Sequence, residues 1–239
     1  MGQRDDHRPD RGAIDAVSLD VGGVLVVPDH GLLAHALDGA GIEYDRARFG
    51  DGHYSAMAAV DRCRSRPEEF TDYTHGFLQA VGVPAAQLEA AVAVLEPWLI
   101  APIWCQPLPG ALVAARRLAA AGLRLAVTSN SDGSVADMLA RHEYAQVGEG
   151  PGVPVEHIGD SAVVGFAKPH PLMFETTAAA LGLPLDRVCH IGDSGTYDAD
   201  GASAAGMRAV HVDPLGLCPA EHHHAASLAT FADEILNGT

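Results

Sequence analysis

Four short segments of the chain carry side chains that can do chemistry, although they lie far apart in the sequence. They hold an aspartate, a hydroxyl group, a lysine and a pair of aspartates, in segments 19–25, 128–130, 168–169 and 192–198. Each segment stands at or beside the end of an apolar run that is typical of a parallel strand. Because ligands bind outside the carboxyl ends of strands in open α/β sheets, we expect the segments to meet in one crevice. Such a set suits a metal-assisted phosphoryl or acyl-type displacement with an aspartate as nucleophile.

Asp20 is the candidate nucleophile. It stands at a predicted strand end and is followed by Gly22 and Gly23, and glycines allow the backbone to approach a ligand closely. Taken alone, the same pattern also fits an ordinary turn aspartate before glycines.

Ser129, Asn130 and Lys168 are candidate anion-binding residues. Ser129 and Asn130 follow an apolar run and can donate a hydroxyl and a backbone N–H to an anion. Lys168 precedes Pro169, which disfavours a helix and places the lysine in a loop, where it can neutralise a phosphate. Ordinary turn residues and a solvated lysine are the alternatives for each position taken alone.

Asp193 and Asp198 are the candidate metal ligands. Asp193 stands at the end of a predicted strand and Asp198 at the start of the following helix. Both carboxylates can therefore point at one hard cation. Taken alone, Asp198 also fits the role of a helix N-cap.

The elements that must position these residues alternate along most of the chain. The predicted strands cover 14–19, 123–128, 155–158, 188–191 and 209–212, and the predicted helices 109–121, 135–141, 171–181, 199–205 and 228–236. Several of these helices end at a glycine cap. Alternating strands and helices predict an α/β fold with a parallel sheet and right-handed crossovers.

Residues 28–104 depart from this alternation. Their apolar residues recur at helical spacing between Gly and Pro punctuation, without a strand-like run. We therefore predict an all-helical insertion of three to five helices. The predicted organisation is a disordered tail at 1–12, a core domain at 13–27 and 105–239, and a helical cap domain at 28–104.

As an ordered set, the four segments resemble the motifs of the haloacid dehalogenase-like (HAD) hydrolase superfamily, specifically its subfamily I with an α-helical C1 cap. Asp20 matches the first motif, Ser129 the second, Lys168 the third, and Asp193 with Asp198 the GDxxxxD fourth motif. The helical insertion after the first motif looks like the family's cap, so the resemblance covers nearly the whole chain. It implies a Rossmann-like parallel sheet core with an inserted helical cap.

The resemblance also implies roles for the residues. Catalysis would fall to Asp20, Ser129 and Lys168, with an aspartyl intermediate on Asp20. The implied cofactor is Mg²⁺, held by Asp20, Asp193, Asp198 and the backbone carbonyl of Gly22. The implied phosphate-binding residues are Gly22, Gly23, Ser129, Asn130 and Lys168.

One position departs from the family's phosphatases, which usually carry a second, acid/base aspartate two residues after the nucleophile. Here that residue is Gly22, and Val24 stands where a threonine often follows. Losing a positioned proton donor typically slows a reaction by about 10²–10⁴-fold.

Three interpretations therefore stay open. The favoured one is a Mg²⁺-dependent phosphatase of a small phosphorylated metabolite, whose leaving group needs little protonation or takes its proton from Asp29 or His30. The second is a haloacid dehalogenase-like C–X hydrolase, which fits less well because such enzymes work without metal and have little use for Asp193 and Asp198 together. The third is a non-catalytic member that binds a phosphorylated ligand or a protein partner.

The amino-acid composition limits the classes of partner that the protein can bind. With 15 Lys and Arg against 31 Asp and Glu, the net charge of −16 argues against nucleic acid or an anionic membrane as partner. The first residues are polar and no long apolar run exists, so we expect a cytoplasmic protein without a membrane span, as a monomer or homodimer. The four cysteines show no CxxC spacing and are expected to be reduced, packed thiols.

Two motif-like runs are not expected to be functional, whereas several polar residues of the predicted cap could face the crevice. Residues 192–195 spell GDSG as in chymotrypsin-like proteases, but the α/β pattern excludes that all-β fold. The run His222–His224 lacks an acid or cysteine partner at metal-site spacing, so it is expected to be a solvated loop. Polar cap residues that could face the crevice, although a solvated or intra-cap role is commoner, are His53, Tyr54, Arg62, Arg64, Tyr73 and His75.

Overall fold

The computed structural model describes residues 14–63 and 71–237. Its strands are β1 (Ala16–Leu19), β2 (Val26–Pro28), β3 (Trp104–Pro107), β4 (Arg124–Ser129), β5 (Ala145–Val147), β6 (Val153–Val155), β7 (His157–Asp160), β8 (Val188–Gly192), β9 (Arg208–Val212) and β10 (His224–Ala225). Its helices are α1 (His30–Gly39), α2 (Phe49–Cys63), α3 (Thr71–Ala80), α4 (Leu88–Leu95), α5 (Ala111–Ala120), α6 (Val135–Arg141), α7 (Ser161–Val164), α8 (Pro171–Leu181), α9 (Gly201–Ala205) and α10 (Leu228–Asn237).

A six-stranded sheet forms the centre, in the order β10-β9-β8-β1-β4-β7. Every neighbouring pair in it is parallel, which confirms the predicted α/β fold. The register matters most for function: Leu19 of β1 pairs with Val127 of β4 and with Ile191 of β8. The carboxyl ends of these three strands therefore lie side by side.

Helices cover both faces of the sheet. Val17 and Leu19 pack in one buried cluster with residues of α5 and α10, whereas Ala16 packs in another with residues of α8 and α9. This alternation follows from the period of two along a strand. Burial on both faces explains why the central strands read as nearly continuous apolar runs.

Four α-helices, α1 to α4, lie in the described part of residues 28–104. They have their own apolar core, which includes Leu33, Leu37, Phe77 and Leu95. Strands β2 and β3 flank this segment and pair antiparallel with each other, so the chain leaves and re-enters the sheet domain at one place. In the described ranges, no helix is long and apolar enough to cross a membrane.

Several predicted elements need correction. The strand expected at 155–158 is two strands, because β6 pairs with β5 while β7 pairs with β4. The helix expected at 199–205 is preceded by a π-helical segment, Gly195–Asp200. Strands β2, β3, β5 and β10 were not predicted, since strands of two to four residues leave little periodicity. The tail predicted at 1–12 lies outside the described residues.

Candidate active site

The sheet brings three of the four sequence segments to one edge. Asp20 follows β1, Ser129 is the last residue of β4, and Asp193 follows β8. Lys168 reaches the same place from the loop between α7 and α8. Together with Asp198 these residues line a cavity of about 670 Å³. Parallel register places the residues after neighbouring strands next to one another, as the sequence predicted.

One carboxylate oxygen of Asp20 is bonded to neighbouring groups, and the other faces no hydrogen-bond donor among the described residues. Its Oδ1 accepts a hydrogen bond from the backbone N–H of Val21 at 2.7 Å and lies 2.9 Å from Lys168 Nζ. None of the described residues donates to its Oδ2. Burial raises the pKa of Asp20 to about 7, with Lys168 opposing this and the carboxylates of Asp198 and Asp193 adding to it. A cation beside these carboxylates would favour the ionised, nucleophilic form.

Lys168 is the only lysine of the chain and is almost completely buried. Its ammonium group bridges Asp20 and Asp198, with a 2.6 Å contact to Asp198 Oδ1. Burial alone would lower the pKa of this lysine, but the two carboxylates raise it above its usual value. The group is therefore a fixed positive charge at the nucleophile.

Asn130 holds Lys168 in place. Its side-chain Oδ1 accepts from the backbone N–H of Lys168 at 2.7 Å, and its Nδ2 donates to the Lys168 carbonyl at 3.1 Å. Both ends of the amide are thus used by the lysine's backbone. The structure therefore gives this side chain a positioning role, while the anion contact expected of the Asn130 backbone N–H stays a prediction.

Asp198 is bonded on both oxygens. Oδ1 accepts from Lys168 Nζ and from His190 Nε2 at 2.8 Å, and Oδ2 accepts from the backbone N–H of Ser194 at 3.1 Å. Although burial acts to raise it, Lys168 and His190 hold the pKa of Asp198 below its usual value. Asp198 is consequently a permanent anion that anchors the lysine.

Asp193 is held from the helical segment. His53 Nε2 lies 2.6 Å from Asp193 Oδ2, and His53 Nδ1 lies 2.9 Å from the hydroxyl of Tyr73. Burial raises the pKa of Tyr73 well above its usual value, so the phenol keeps its proton. Because a carboxylate only accepts, His53 donates from Nε2 to Asp193 and orients that carboxylate.

Two glycines make room for the aspartates. A Cβ on Gly23, whose φ is +63°, would overlap the carboxylate of Asp193, and a Cβ on Gly192 would overlap the carboxylate of Asp198. No side chain fits in either place. The glycines of the first and fourth segments therefore let the two carboxylates pack against the backbone.

The donor set fits a hard divalent cation. Asp20, Asp193 and Asp198 each offer a carboxylate oxygen within 4.8 Å of the others, and Mg²⁺ prefers such ligands. Burial, with the neighbouring carboxylates of Asp198 and Asp193, raises the pKa of Asp20, and a cation at the cluster would oppose that rise. Asp193 keeps an oxygen without a hydrogen bond from the described residues. Asp198 would contact a metal by sharing its bonded oxygens, and Asp20 by sharing Oδ1, which leaves its Oδ2 available.

Comparisons with known proteins agree with this geometry. A family model described as haloacid dehalogenase-like hydrolase matches residues 14–206. The chain belongs to the haloacid dehalogenase-like hydrolase family. No curated protein matches it significantly.

Solved structures show how this hydrolase resembles its relatives in fold. A HAD phosphatase from Thermococcus onnurineus is 17% identical with a TM-score of 0.58, over 94% of this chain and 99% of that one. A putative HAD-hydrolase from Bacillus subtilis, bound to magnesium, is 19% identical with a TM-score of 0.57, over 94% and 99%. An L-2-haloacid dehalogenase from Xanthobacter autotrophicus, with chloropropionic acid covalently bound, is 17% identical with a TM-score of 0.53, over 93% and 98%. At these identities the likeness shows the shared fold alone.

The polar cap residues named from the sequence as able to face the crevice differ in where the structure places them. His53 and Tyr73 line the cavity of the hydrolase, and the hydroxyl of Tyr54 donates to the Gly23 carbonyl at 3.0 Å. Arg62 is exposed and His75 lies 4.0 Å from Glu89; neither lines the cavity. Arg64 lies outside the described residues.

Asp29 and His30 do not reach the cavity. The Asp29 carboxylate accepts from the backbone N–H of Leu32 at 2.9 Å and so caps α1. His30 Nδ1 lies 3.3 Å from the side-chain nitrogen of Gln106. Neither residue is among those that line the cavity, so the structure gives no support to either as the missing acid.

Two residues of the hydrolase site, Asp61 and His190, were not predicted from the sequence. The carboxylate of Asp61 accepts from the Ser194 hydroxyl at 2.6 Å and from the backbone N–H of Gly195 at 2.8 Å, which fixes the loop after Asp193. His190 bonds Asp198 from inside β8. Asp61 follows His53 by eight residues, a spacing that places both on one face of a helix, and this could have pointed to Asp61. A histidine inside an apolar strand is unusual and could have pointed to His190.

Proposed function

We propose that this hydrolase is a Mg²⁺-dependent phosphatase of subfamily I, with residues 28–104 as its C1 cap, acting on a small phosphorylated metabolite. The observation that carries the proposal is the cluster of Asp20, Asp193 and Asp198 around Lys168. A phosphoryl group brings several negative charges, and this site provides a buried lysine and a metal-type carboxylate set to neutralise them. A cytoplasmic location and a monomer or homodimer are part of the proposal. The net charge of −16 supports a site without nucleic acid or membrane partners.

In this mechanism the free Oδ2 of Asp20 attacks phosphorus, and the bond from phosphorus to the leaving oxygen breaks. Lys168 holds Oδ1 and favours the ionised form of the carboxylate, and the hydroxyl of Ser129, which lines the same cavity, donates to a phosphoryl oxygen. Water then attacks the phosphorus of the aspartyl phosphate, which releases phosphate and restores Asp20. Mg²⁺ held by Asp20, Asp193 and Asp198 would offset the charge of the transferring group.

Gly22 shapes the choice of substrate. A Cβ at this position would contact the ring of Trp104 at 3.4 Å, so the indole stands beside the place of the family's second aspartate. Since neither Asp29 nor His30 lines the cavity, we infer that the leaving group needs little protonation. Acyl phosphates and anomeric sugar phosphates meet this condition.

One observation favours the second candidate, a C–X hydrolase. Apolar side chains line part of the cavity, namely Met57, Val60, Leu99, Ile100 and Trp104. A haloacid offers a small apolar body to such a wall, and a departing halide needs no proton. The buried carboxylate trio argues against it, because displacement at a carbon–halogen bond involves no phosphoryl oxygens for a metal at that trio to bind.

A substrate panel tests the proposal. With Mg²⁺, acyl and anomeric phosphates should turn over about 10²–10⁴-fold faster than simple alkyl phosphates, the usual value of a positioned proton donor. Chelation should abolish both activities. Haloacids belong in the same panel, and turnover of haloacids alone, unaffected by chelation, would establish the C–X hydrolase instead.

The variant Gly22→Asp restores the acid/base aspartate that the family's phosphatases usually carry and tests whether its absence limits the choice of leaving group. It should raise kcat on alkyl phosphates and change little on acyl phosphates, because protonation matters only for the poor leaving group. Trp104→Leu combined with Gly22→Asp makes room for the carboxylate if the indole blocks it. Equal gains on both substrate classes would count against a role in protonation, and a thermal melt of each variant excludes simple misfolding.

A further inference from the structure

Four metal-ligating side chains meet at the edge of the sheet, outside the cavity. His211 of β9 and His224 of β10 are paired across two parallel strands. His222 precedes His224 by two residues, and Cys218 lies in the loop that joins the strands. The Asp213 carboxylate accepts from the backbone N–H groups of Leu217 and Cys218, at 3.0 and 2.8 Å, and so positions the cysteine.

The geometry of the group is close to that of a tetrahedral site. His211, Cys218, His222 and His224 each offer one ligand atom within 4.8 Å of the others. The centroids of the three imidazole rings are 5.3, 5.7 and 5.9 Å apart, nearly an equilateral triangle. Cys218 Sγ lies 3.5 Å from His222 Nδ1, which matches the ligand separation of roughly 3.3–3.6 Å around tetrahedral zinc.

Hydrogen bonds fix the tautomers of two of the histidines. His222 Nε2 donates to Asp200 Oδ1 at 3.0 Å, and His211 Nε2 donates to the backbone carbonyl of Asp193 at 3.1 Å. Each ring therefore keeps the lone pair on Nδ1. A ligating histidine ordinarily donates its other N–H to a carboxylate or a backbone carbonyl in this way.

Two ring nitrogens in the group lack any partner. His211 Nδ1 and His224 Nε2 are buried and make no hydrogen bond within the described residues. A buried polar atom without a partner costs about 1–3 kcal/mol. A bound metal would satisfy both nitrogens.

We propose that His211, Cys218, His222 and His224 form a structural Zn²⁺ site. Imidazole and thiolate ligands suit zinc and exclude Mg²⁺ as the natural occupant. Four protein ligands complete a tetrahedron and leave no position for substrate, which is typical of a structural site. The proposal does not depend on the proposed phosphatase activity.

The site would connect the sheet edge to the candidate active site. His211 bonds the backbone of Asp193, a candidate magnesium ligand, and His222 bonds Asp200 at the end of the π-helical segment. Bound zinc would therefore stiffen both the loop 213–223 and the backbone that presents Asp193. The sequence expectation of a solvated His222–His224 loop is wrong, because strand pairing supplies His211 and the loop returns Cys218.

Cobalt binding tests the proposal directly. Metal-free protein in excess Mg²⁺, which keeps the carboxylate cluster filled, should bind one Co²⁺ per chain with a thiolate-to-cobalt charge-transfer band. Zn²⁺ should displace the cobalt and raise the melting temperature. Cys218→Ser should abolish the band and weaken Zn²⁺ binding by more than about 100-fold, beyond the usual loss from an outer-shell partner.

Matched controls separate this site from adventitious binding. Cys63→Ser removes an exposed thiol and His35→Ala an exposed histidine; both should keep the band and the zinc affinity. His224→Gln gives a second test if Cys218→Ser folds poorly by circular dichroism. Absence of the thiolate band in the unmodified protein, or equal zinc affinity in Cys218→Ser, would overturn the proposal.

Discussion

Asp20→Asn should abolish turnover of every phosphorylated substrate, with a loss on the order of 10⁴–10⁶-fold. The amide cannot attack phosphorus and is not an anionic metal ligand. The contacts of the site should survive, because an asparagine Oδ1 can still accept from Val21 and Lys168. Steady-state kinetics with Mg²⁺ measures the loss, and undiminished turnover would refute Asp20 as nucleophile.

The same variant should be more stable than the unmodified protein at high pH in metal-free buffer. The pKa of Asp20 is about 7 in the folded chain, against 3.8 for an unperturbed aspartate. The folded state thus binds the proton more tightly, so the stability that Asp20 contributes is fully present below pH 3.8 and is lost as the pH rises through 7. The asparagine of the variant does not titrate and avoids that loss, which amounts to at most about 4 kcal/mol. Thermal melts of both proteins at pH 5 and pH 8 measure the difference, and a gap that does not widen at pH 8 would contradict the burial argument.

Lys168→Met should have the largest effect on stability. It leaves Asp20 and Asp198 buried beside each other without the ammonium group that now contacts both. Removing one partner of a buried ion pair typically costs about 3–5 kcal/mol. Turnover should also fall strongly, because the charge that offsets the phosphoryl group is lost. Denaturant unfolding at pH 8 measures the stability loss.

Two comparisons make this second result specific. Arg124→Met breaks a largely exposed pair with Glu156 and should cost no more than about 1 kcal/mol. Adding Asp20→Asn to Lys168→Met removes the repulsion between the carboxylates and should recover part of the lost stability. If Lys168→Met costs no more than Arg124→Met, the lysine does not balance a buried carboxylate pair.

The sequence was sufficient to predict that the residues directly after the strands would lie together. Asp20, Ser129 and Asp193 stand after apolar strands, and parallel pairing brings such positions together whatever the intervening chain does. The same reasoning could not assign partners. The side chain of Asn130 bonds the backbone of Lys168, which arrives from a loop 38 residues later, and no motif spacing encodes that pairing.

Contacts between the helical segment and the sheet were harder to predict. His53 and Asp61 reach the loop of Asp193 from one face of α2, and only the packing of that helix on the sheet shows which of its polar residues face inward. The sequence did not predict the group formed by His211, Cys218, His222 and His224 for a related reason. Its four ligands are spread over two strands and a loop, and β10 is only two residues long, too short to leave a periodic signal.

The most direct test of the account is to trap the intermediate on Asp20. Protein mixed with acetyl phosphate and Mg²⁺ in ¹⁸O-labelled water is quenched during turnover, digested and analysed by mass spectrometry. We predict a phosphoryl adduct on the peptide that carries Asp20, ¹⁸O in the released phosphate and none in the Asp20 carboxylate, because water attacks phosphorus. Turnover with ¹⁸O in the Asp20 carboxylate after reaction with a haloacid, and no phosphoryl adduct from any phosphorylated substrate, would contradict the phosphatase and establish attack on carbon.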